Sequence, residues 1–218
     1  MRAASHRQDV LPCGGGARPA LNPFSTRYVR PGAMAYRFSP GQSVDRLLAL
    51  LRSKGGWGEI IGPHGSGKST LLETLVLKWQ ATGGSVVTYR LHDEERHFPR
   101  QARNARPKSG GELLVVVDGY EQLGMTSRWW LKRRIRRAGT GLLVTAHQRT
   151  GLPHLFDTGT DPSTVVELVE NLTTGIPSSV RPSDVIASFA RHDGNVREIL
   201  FDLYLLHERR RRSERRLL

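Results

Sequence analysis

Apolar runs and helical stretches alternate through the middle of the chain. Four mainly apolar runs predict β-strands, at residues 57–61, 85–91, 113–117 and 141–146. Residues 68–80, between the first two strands, and residues 127–137, between the last two, predict helices. The run 113–117 contains no polar residue, as expected of a strand that is buried on both faces. This alternation predicts an α/β domain with a mostly parallel sheet.

The chain ahead of the first strand divides into three parts. Residues 1–22 are rich in Gly, Pro and Arg, which predicts a disordered leader. Residues 23–42 carry aromatic residues among turn formers, and we expect them to pack in extended form on the domain. Ser43 is a predicted N-cap for a short helix, since apolar residues follow it at helical spacing: Val44, Leu47, Leu48 and Leu51. Residues 23–56 would thus form one segment that packs on the core.

The chain beyond the fourth strand predicts a short fifth strand at residues 155–158 and a small helical unit after it. Asp161 and Pro162 are typical of a helix start, and the apolar residues that follow have a helical period: Val165, Leu168, Val169 and Leu172. A strand is the alternative for these residues. Further helices are predicted at 182–191 and 195–212. The expected units are a sheet domain, a helical lid and a basic tail, at residues 57–160, 161–212 and 213–218.

Residues 62–69 match a phosphate-binding motif in full. They read Gly-Pro-His-Gly-Ser-Gly-Lys-Ser, which is G-x-x-x-x-G-K-[ST]. A strand is predicted to end at Ile61 and a helix to begin at Lys68, which is the context that this loop requires. Glycines let backbone N–H groups point toward phosphate oxygens, and the helix start adds the positive end of its dipole. The motif predicts a site for nucleotide phosphates.

The residue types of this loop predict their roles. Lys68 is expected to reach the β and γ phosphates, and the Ser69 hydroxyl is expected to bind Mg²⁺. ATP and Mg²⁺ are therefore the predicted ligands. We expect nucleotide contacts along the whole loop and at the residue after it: Gly62, Pro63, His64, Gly65, Ser66, Gly67, Lys68, Ser69 and Thr70.

Two carboxylates follow the third predicted strand. Asp118 ends the strand and is a candidate ligand of Mg²⁺ through water, in the Walker B pattern. Hydrolysis also needs a group that orients and deprotonates water. A glycine, Gly119, occupies the position after the aspartate, so the nearest candidate for that group is Glu121. Glu121 would reach the γ-phosphate if residues 118–121 turn sharply after the strand.

Two other positions carry candidate sensors of the nucleotide. The fourth strand ends in polar residues, and either Thr145 or His147 would sense the γ-phosphate at its tip. Near the C-terminus, Gly194-Asn195-Val196-Arg197 begins a helix. This resembles the sensor 2 helix of AAA+ proteins, in which an arginine approaches the nucleotide from a helical lid, and the resemblance implies that role for Arg197.

Residues 57 to about 205 resemble the AAA+ and related ATPases in the order of these features. The resemblance implies a P-loop NTPase three-layer sandwich, with a mostly parallel five-stranded sheet and a small C-terminal helical lid. It also implies that the fourth strand lies between the P-loop strand and the Walker B strand. The chain also looks like a set of small bacterial P-loop ATPases of unassigned function that share residues 22–32. Both resemblances imply ATP binding.

The sequence departs from the AAA+ pattern at two points, since the candidate glutamate is displaced and the lid is short. Arg128, Arg133 and Arg134 are candidates to act in trans in a homo-oligomer, and nothing in the sequence distinguishes them. A likeness to ABC ATPases is rejected, because residues 109–112, Ser-Gly-Gly-Glu, run directly into the third strand without a helix between.

The distribution of charge along the chain indicates candidate partners. The 218-residue chain has a formal net charge of +13, with 33 basic and 20 acidic residues. Three windows hold the excess, at residues 96–108, 128–137 and 208–216, so the rest of the chain is near neutral. Nucleic acid and an acidic protein are the candidate partners of these patches. A genome-wide preference for arginine is the alternative, because 28 of the 33 basic residues are Arg and they occur throughout the chain.

Several classes of protein are excluded. The single cysteine, Cys13, rules out an intrachain disulfide and a cysteine-based zinc site. No run of 18 apolar residues occurs, and the N-terminus lacks the apolar stretch of a signal peptide, so we expect a cytoplasmic protein. The favoured function is an Mg²⁺-dependent ATPase that couples hydrolysis to conformational change on a partner. The alternatives are a nucleotide-dependent binding switch with little hydrolysis and a small-molecule kinase.

Overall fold

A computed structural model describes residues 22–29, 34, 36–39, 41–91 and 112–216, without the side chains of 215 and 216. The predicted leader, except for Asn22, and the basic window 96–108 lie outside the described residues. Asn22 is buried, and its side-chain amide donates to Tyr204 O at 3.3 Å and to Glu208 Oε1 at 2.9 Å. The described fold therefore begins at the last residue of the predicted leader.

Five parallel strands form one sheet in the order β2-β3-β4-β1-β5. The strands are β1 Trp57–Ile61, β2 Ser85–Arg90, β3 Leu113–Asp118, β4 Gly141–Ala146 and β5 His154–Asp157. All five lie within one residue of the predicted ranges. The β4 strand lies between β1 and β3, with Trp57 opposite Leu142 and Val115 opposite the same residue, so the resemblance predicted the strand order correctly.

Helices cover both faces of the sheet. On one face α2 (Val44–Ser53) and α3 (Lys68–Ala81) pack against Ile60 and other residues of β1, β3 and β4. On the other face α4 (Met125–Arg137) packs through Leu131 and Ile135. The result is the three-layer α/β fold that was predicted. Ser43 caps α2 as expected, since its hydroxyl accepts a hydrogen bond from Arg46 N at 3.2 Å.

Three C-terminal helices form a separate hydrophobic cluster. They are α5 (Pro162–Thr173), α6 (Pro182–Arg191) and α7 (Val196–Arg216). The interpretation of residues 165–172 as helix rather than strand is confirmed, and Asp161 caps α5 by accepting from Thr164 N at 2.9 Å. The α7 helix continues to Arg216, so residues 213–216, which were expected to be a tail, belong to this helix.

The segment ahead of α2 contacts both clusters. It contains a short helix, α1 (Thr26–Val29), where an extended form was expected. Phe24 is 2% exposed and packs among α5–α7, whereas Tyr36 and Phe38 pack on the cluster below α2 and α3. The segment therefore joins the C-terminal helices to the sheet domain. Within the described residues, no helix is long and apolar enough to cross a membrane.

Because Phe24 is buried in the C-terminal cluster, we expect Phe24→Ala to lower the free energy of unfolding by about 3 kcal/mol. Urea denaturation followed by circular dichroism measures this. Phe201→Ala is the matched control, since Phe201 lies on α7 and is 57% exposed, and we expect it to change stability by less than about 0.5 kcal/mol. Equal stability of the two variants would contradict the packing of Phe24 among the C-terminal helices.

Candidate functional site

The predicted phosphate loop connects β1 to α3, as the motif requires. Two of its glycines pack too closely against other elements to carry a side chain. A Cβ on Gly62 would lie 2.1 Å from Thr158 Oγ1, beyond the end of β5. A Cβ on Gly65, whose φ is +70°, would lie 1.8 Å from Asn195 Oδ1, ahead of α7. The loop is therefore enclosed by the chain after β5 on one side and by the start of α7 on the other.

Ser66 holds the loop to the sheet. Its side chain is buried, with Oγ donating to Pro63 O at 2.9 Å and lying 2.6 Å from Thr158 Oγ1. Thr158 in turn donates to Ile61 O at 3.1 Å, in the last residue of β1. Of the predicted nucleotide contacts, Ser66 can therefore contribute its backbone, while its hydroxyl is used inside the protein. Pro63 and His64 are exposed at the rim of the loop.

Lys68 begins α3 and folds back over the loop. Its ammonium donates to Gly62 O and Pro63 O, both at 2.7 Å, and lies 3.3 Å from His147 Nδ1. Burial lowers the pKa of Lys68, and the carboxylates of Glu121 and Asp118 act in the opposite direction. These direct contacts are two carbonyl oxygens and an imidazole nitrogen. A phosphate oxygen is a stronger acceptor for an ammonium than these groups are.

Asp118 ends β3 and is held in place from the neighbouring strand. The Thr145 hydroxyl, 1% exposed at the tip of β4, donates to Asp118 Oδ1. The same hydroxyl accepts from Gly119 N at 3.0 Å. Thr145 was one of two candidate sensors, and in this structure its hydroxyl fixes the carboxylate and the backbone turn after it. The second carboxylate oxygen of Asp118 takes no part in this contact.

Glu121 reaches the same place through a sharp turn. Gly119 adopts φ +83° and precedes a short 3-10 helix, Tyr120–Gln122, which turns the chain back after β3. Glu121 Oε1 lies 3.0 Å from His147 Nε2. Glu121 Oε2 is buried and has no hydrogen-bond partner among the described residues. The spacing of three positions after Asp118 is thus short enough to place Glu121 beside the loop.

His147 contacts four of the other predicted site residues: Gly62, His64, Lys68 and Glu121. Its Nδ1 lies 3.1 Å from Gly62 O and 3.3 Å from the Lys68 ammonium, and its Nε2 faces Glu121. Its ring stacks on His64 with 3.8 Å between centroids and 38° between planes. With hydrogen on Nε2 the ring donates to Glu121 and accepts from Lys68, whereas hydrogen on Nδ1 would donate to Gly62 O instead.

The α7 helix contacts the loop through its first turn. Val196 N donates to Gly65 O at 3.2 Å, next to the close approach of Asn195 to Gly65. Arg197 follows directly and is exposed. Among the described residues its guanidinium has no hydrogen-bond or ion-pair partner. The structure thus brings the start of this helix to the loop, and no contact among the described residues joins the Arg197 side chain to His147.

Arg128 is a residue of this site that sequence reasoning did not assign to it. Its Nη2 donates to Glu121 O and its Nε to Leu123 O, both at 2.7 Å, and its guanidinium lies 5.3 Å from the Tyr120 ring centroid. The sequence made Arg128 a candidate for a role in trans. In this structure it holds the turn that carries Glu121, a role that no local sequence pattern indicates.

Tyr36 is a second residue at this site that the sequence did not indicate. The edge of its ring lies 3.1 Å from the position of a Cβ on Gly67, and its backbone N–H donates to Thr74 Oγ1 at 3.3 Å. Its ring packs edge-on against Phe38 and Phe156. Tyr36 therefore borders the loop from the segment ahead of α2. The only sequence signal was the aromatic content of that segment.

No protein-family model and no curated protein matches the chain. Solved structures share its fold. A replication initiator DnaA bound to AMPPCP and single-stranded DNA superposes with a TM-score of 0.54 at 15% identity, over 83% of this chain and 67% of that one. AMPPCP-bound DnaA from Aquifex aeolicus gives 0.54 at 16% identity, over 83% and 68%. A DNA replication initiation factor gives 0.53 at 16% identity, over 78% and 63%.

These neighbours establish that the fold is similar to that of the AAA+ domains of DnaA. At such low identity the likeness concerns the fold alone. The chain also spans only about two thirds of the length of each neighbour.

Because one buried hydroxyl holds both Asp118 and Gly119 N–H, Thr145→Val should lower the free energy of unfolding by about 1–3 kcal/mol, measured by urea denaturation. The variant conserves shape and leaves two polar groups without their partner. Thr88→Val is the control, since Thr88 is exposed on the edge strand β2 and should change stability by less than about 0.5 kcal/mol. A Thr145→Val protein as stable as the control would exclude this role for the hydroxyl.

Proposed function

We propose that this protein binds ATP and Mg²⁺ at the loop 62–69 and hydrolyses the nucleotide. The proposal rests on one observation. Four predicted residues meet at the carboxyl-terminal edge of the sheet: Lys68, Asp118, Glu121 and His147. These residues come from three adjacent strand ends, and each was predicted separately. Two neighbours of the same fold were solved with AMPPCP, which supports a nucleotide as the ligand.

The loop fits the phosphates of a nucleotide. Lys68 already points along the loop and donates to two of its carbonyl oxygens, so a phosphate would exchange these contacts for stronger ones. The glycines keep the loop backbone free of side chains, and α3 starts directly behind it. Both features favour an anion at this position.

Ser69 and Asp118 fit Mg²⁺. Ser69 lies in the first turn of α3, and Asp118 has one oxygen that is not used by Thr145. Hydroxyl and carboxylate oxygens, with water, are the ligands that Mg²⁺ prefers. When bound, the ion would neutralise phosphate charge. In this proposal Thr145 serves to orient the Asp118 carboxylate.

Glu121 is the proposed general base. It lies beside the loop mouth, and its Oε1 faces His147 while its Oε2 has no described partner. His147 would orient this carboxylate and would sense the phosphates, because the same ring also contacts Lys68. A phosphate that draws Lys68 away from His147 would thus change the surroundings of Glu121.

The contact between α7 and the loop would couple a bound nucleotide to a movement of the C-terminal helices. The first turn of α7 binds the loop at Gly65 O, so a shift of the loop bears directly on this helix. Arg197 stands on the same turn and is free among the described residues to swing toward a bound nucleotide. Its proposed role is to stabilise the lid in the nucleotide-bound state.

Lys68→Ala should weaken the binding of ATP by about tenfold or more, because an ammonium–phosphate contact is lost. Titration calorimetry with Mg-ATP and a phosphate-release assay measure binding and turnover. Lys78→Ala is the matched control, since Lys78 lies on the same helix and its ammonium pairs with Asp45 at 2.8 Å. If the Lys68 variant binds and hydrolyses ATP as the control does, the proposed site is wrong.

Glu121→Gln should lower kcat for ATP hydrolysis by about 10²–10⁴-fold while the affinity for Mg-ATP changes little, since an amide cannot accept the proton of water. Glu170→Gln, on the exposed surface of α5, should leave kcat unchanged.

The Glu121→Gln result also separates the two leading functions. The alternative, a binding switch with little hydrolysis, draws support from the pairing of Glu121 with His147, which engages the candidate base. Wild-type protein that binds ATP tightly without measurable turnover, and a Glu121→Gln variant that behaves identically, would establish the switch and exclude the ATPase.

A further inference from the structure

The outward side of α4 carries cations and an aromatic ring side by side. Met125, Trp129, Arg133, Arg136 and Arg137 line it, and we refer to these five residues as the outer face of α4. Trp129 is 63% exposed and Met125 is 86% exposed. Leu131 and Ile135, on the opposite side, hold the helix to the sheet. The exposed side chains of Met125 and Trp129 therefore take no part in the packing that fixes α4.

The charge of α4 is not neutralised within the described fold. The helix holds six basic residues and no acidic one. Within the described ranges no carboxylate lies within 4 Å of any of them, whereas other basic side chains are paired, such as Arg191 with Asp202 and Arg210 with Asp184. Like charges at spacings of three and four along a helix cost stability. An anionic partner would relieve this repulsion.

The α4 cations use aromatic rings and carbonyl groups as partners instead. The guanidinium of Arg133 lies 5.5 Å from the centroid of the Trp129 ring, and that of Arg136 lies 5.2 Å from the Trp57 ring. Lys132 donates to Thr150 O at 3.3 Å. Neither kind of contact removes the positive charge. The guanidinium groups are held near a flat ring while their hydrogens remain available to phosphate.

We propose that the outer face of α4 binds a single strand of nucleic acid, with phosphates on Arg133, Arg136 and Arg137 and a base stacked on Trp129. Alternating phosphates and flat bases match a surface of alternating guanidinium groups and an exposed indole. An acidic peptide would use the charges but not the indole. A duplex keeps its bases stacked on each other and offers Trp129 no free face.

Fluorescence anisotropy of labelled dT20 with the full-length protein, in the absence of nucleotide, tests this proposal independently of ATP hydrolysis. Trp129→Ala should weaken binding by about tenfold, the typical effect of removing one stacking platform. Trp129→Phe keeps an aromatic face and should bind within a few fold of wild type. Because Trp129 is exposed, thermal melting should show that both variants are folded.

The contribution of the cations is read from the salt dependence. Arg133→Gln combined with Arg137→Gln should weaken binding and reduce the slope of log K against log salt by about 1.4, since each lost phosphate contact on a single strand accounts for about 0.7. Arg209→Gln combined with Arg212→Gln is the matched control on the exposed side of α7, and should change the slope by much less. The same series with rU20 shows which sugar is preferred, and a dependence on Trp129 in either strand supports the proposal.

Three results would overturn the proposal. In the first, Trp129→Ala binds dT20 as wild type does. In the second, the α7 control pair loses as much affinity as the α4 pair, which would make the binding a property of total charge. In the third, polyglutamate of equal charge competes better than unlabelled dT20, which would identify an acidic protein as the partner of this face.

Discussion

The position of β4 between β1 and β3 is the constraint on which the site depends. In a parallel sheet all strands end at the same edge, so the loops that leave neighbouring strands lie side by side. The loop after β1 supplies Lys68, the tip of β4 supplies Thr145 and His147, and the turn after β3 supplies Glu121. His147, in the middle, is the group that touches both of its neighbours.

The phosphate loop is also a packing junction. Its first glycine faces Thr158 beyond β5, Gly65 faces the start of α7, and Gly67 faces Tyr36 from the segment ahead of α2. Each close approach leaves no room for a Cβ without a shift of the neighbour, so glycine at these positions is required by the packing, independently of the proposed phosphate binding. Through the same contacts, a movement of the loop would displace the chain after β5, the start of α7 and the segment ahead of α2 together.

The sequence was sufficient for the elements that have a strong periodic pattern. The run of five apolar residues at 113–117 predicted a buried strand, and the period of Val165, Val169 and their neighbours predicted a helix, because burial imposes those periods. Contacts between residues far apart in the chain have no such signature. The bond from Arg128 to Glu121 O and the burial of Phe24 among the lid helices depend on tertiary packing, and neither can be derived from residue type or spacing.

The arginine excess takes on a different meaning once the described arginine side chains are placed. A compositional preference alone would leave arginines wherever the surface tolerates them, and several of them indeed pair with carboxylates, as Arg52 does with Glu112 and Arg191 with Asp202. The α4 helix differs because none of its six cations pairs with a carboxylate among the described residues, and five of them have aromatic or carbonyl partners instead. One of them, Arg128, turns inward and holds the segment that carries Glu121. Within the described residues, the helix thus presents a positive surface without paired carboxylates on one side and is bonded to the turn that carries Glu121 on the other, so both properties belong to one helix.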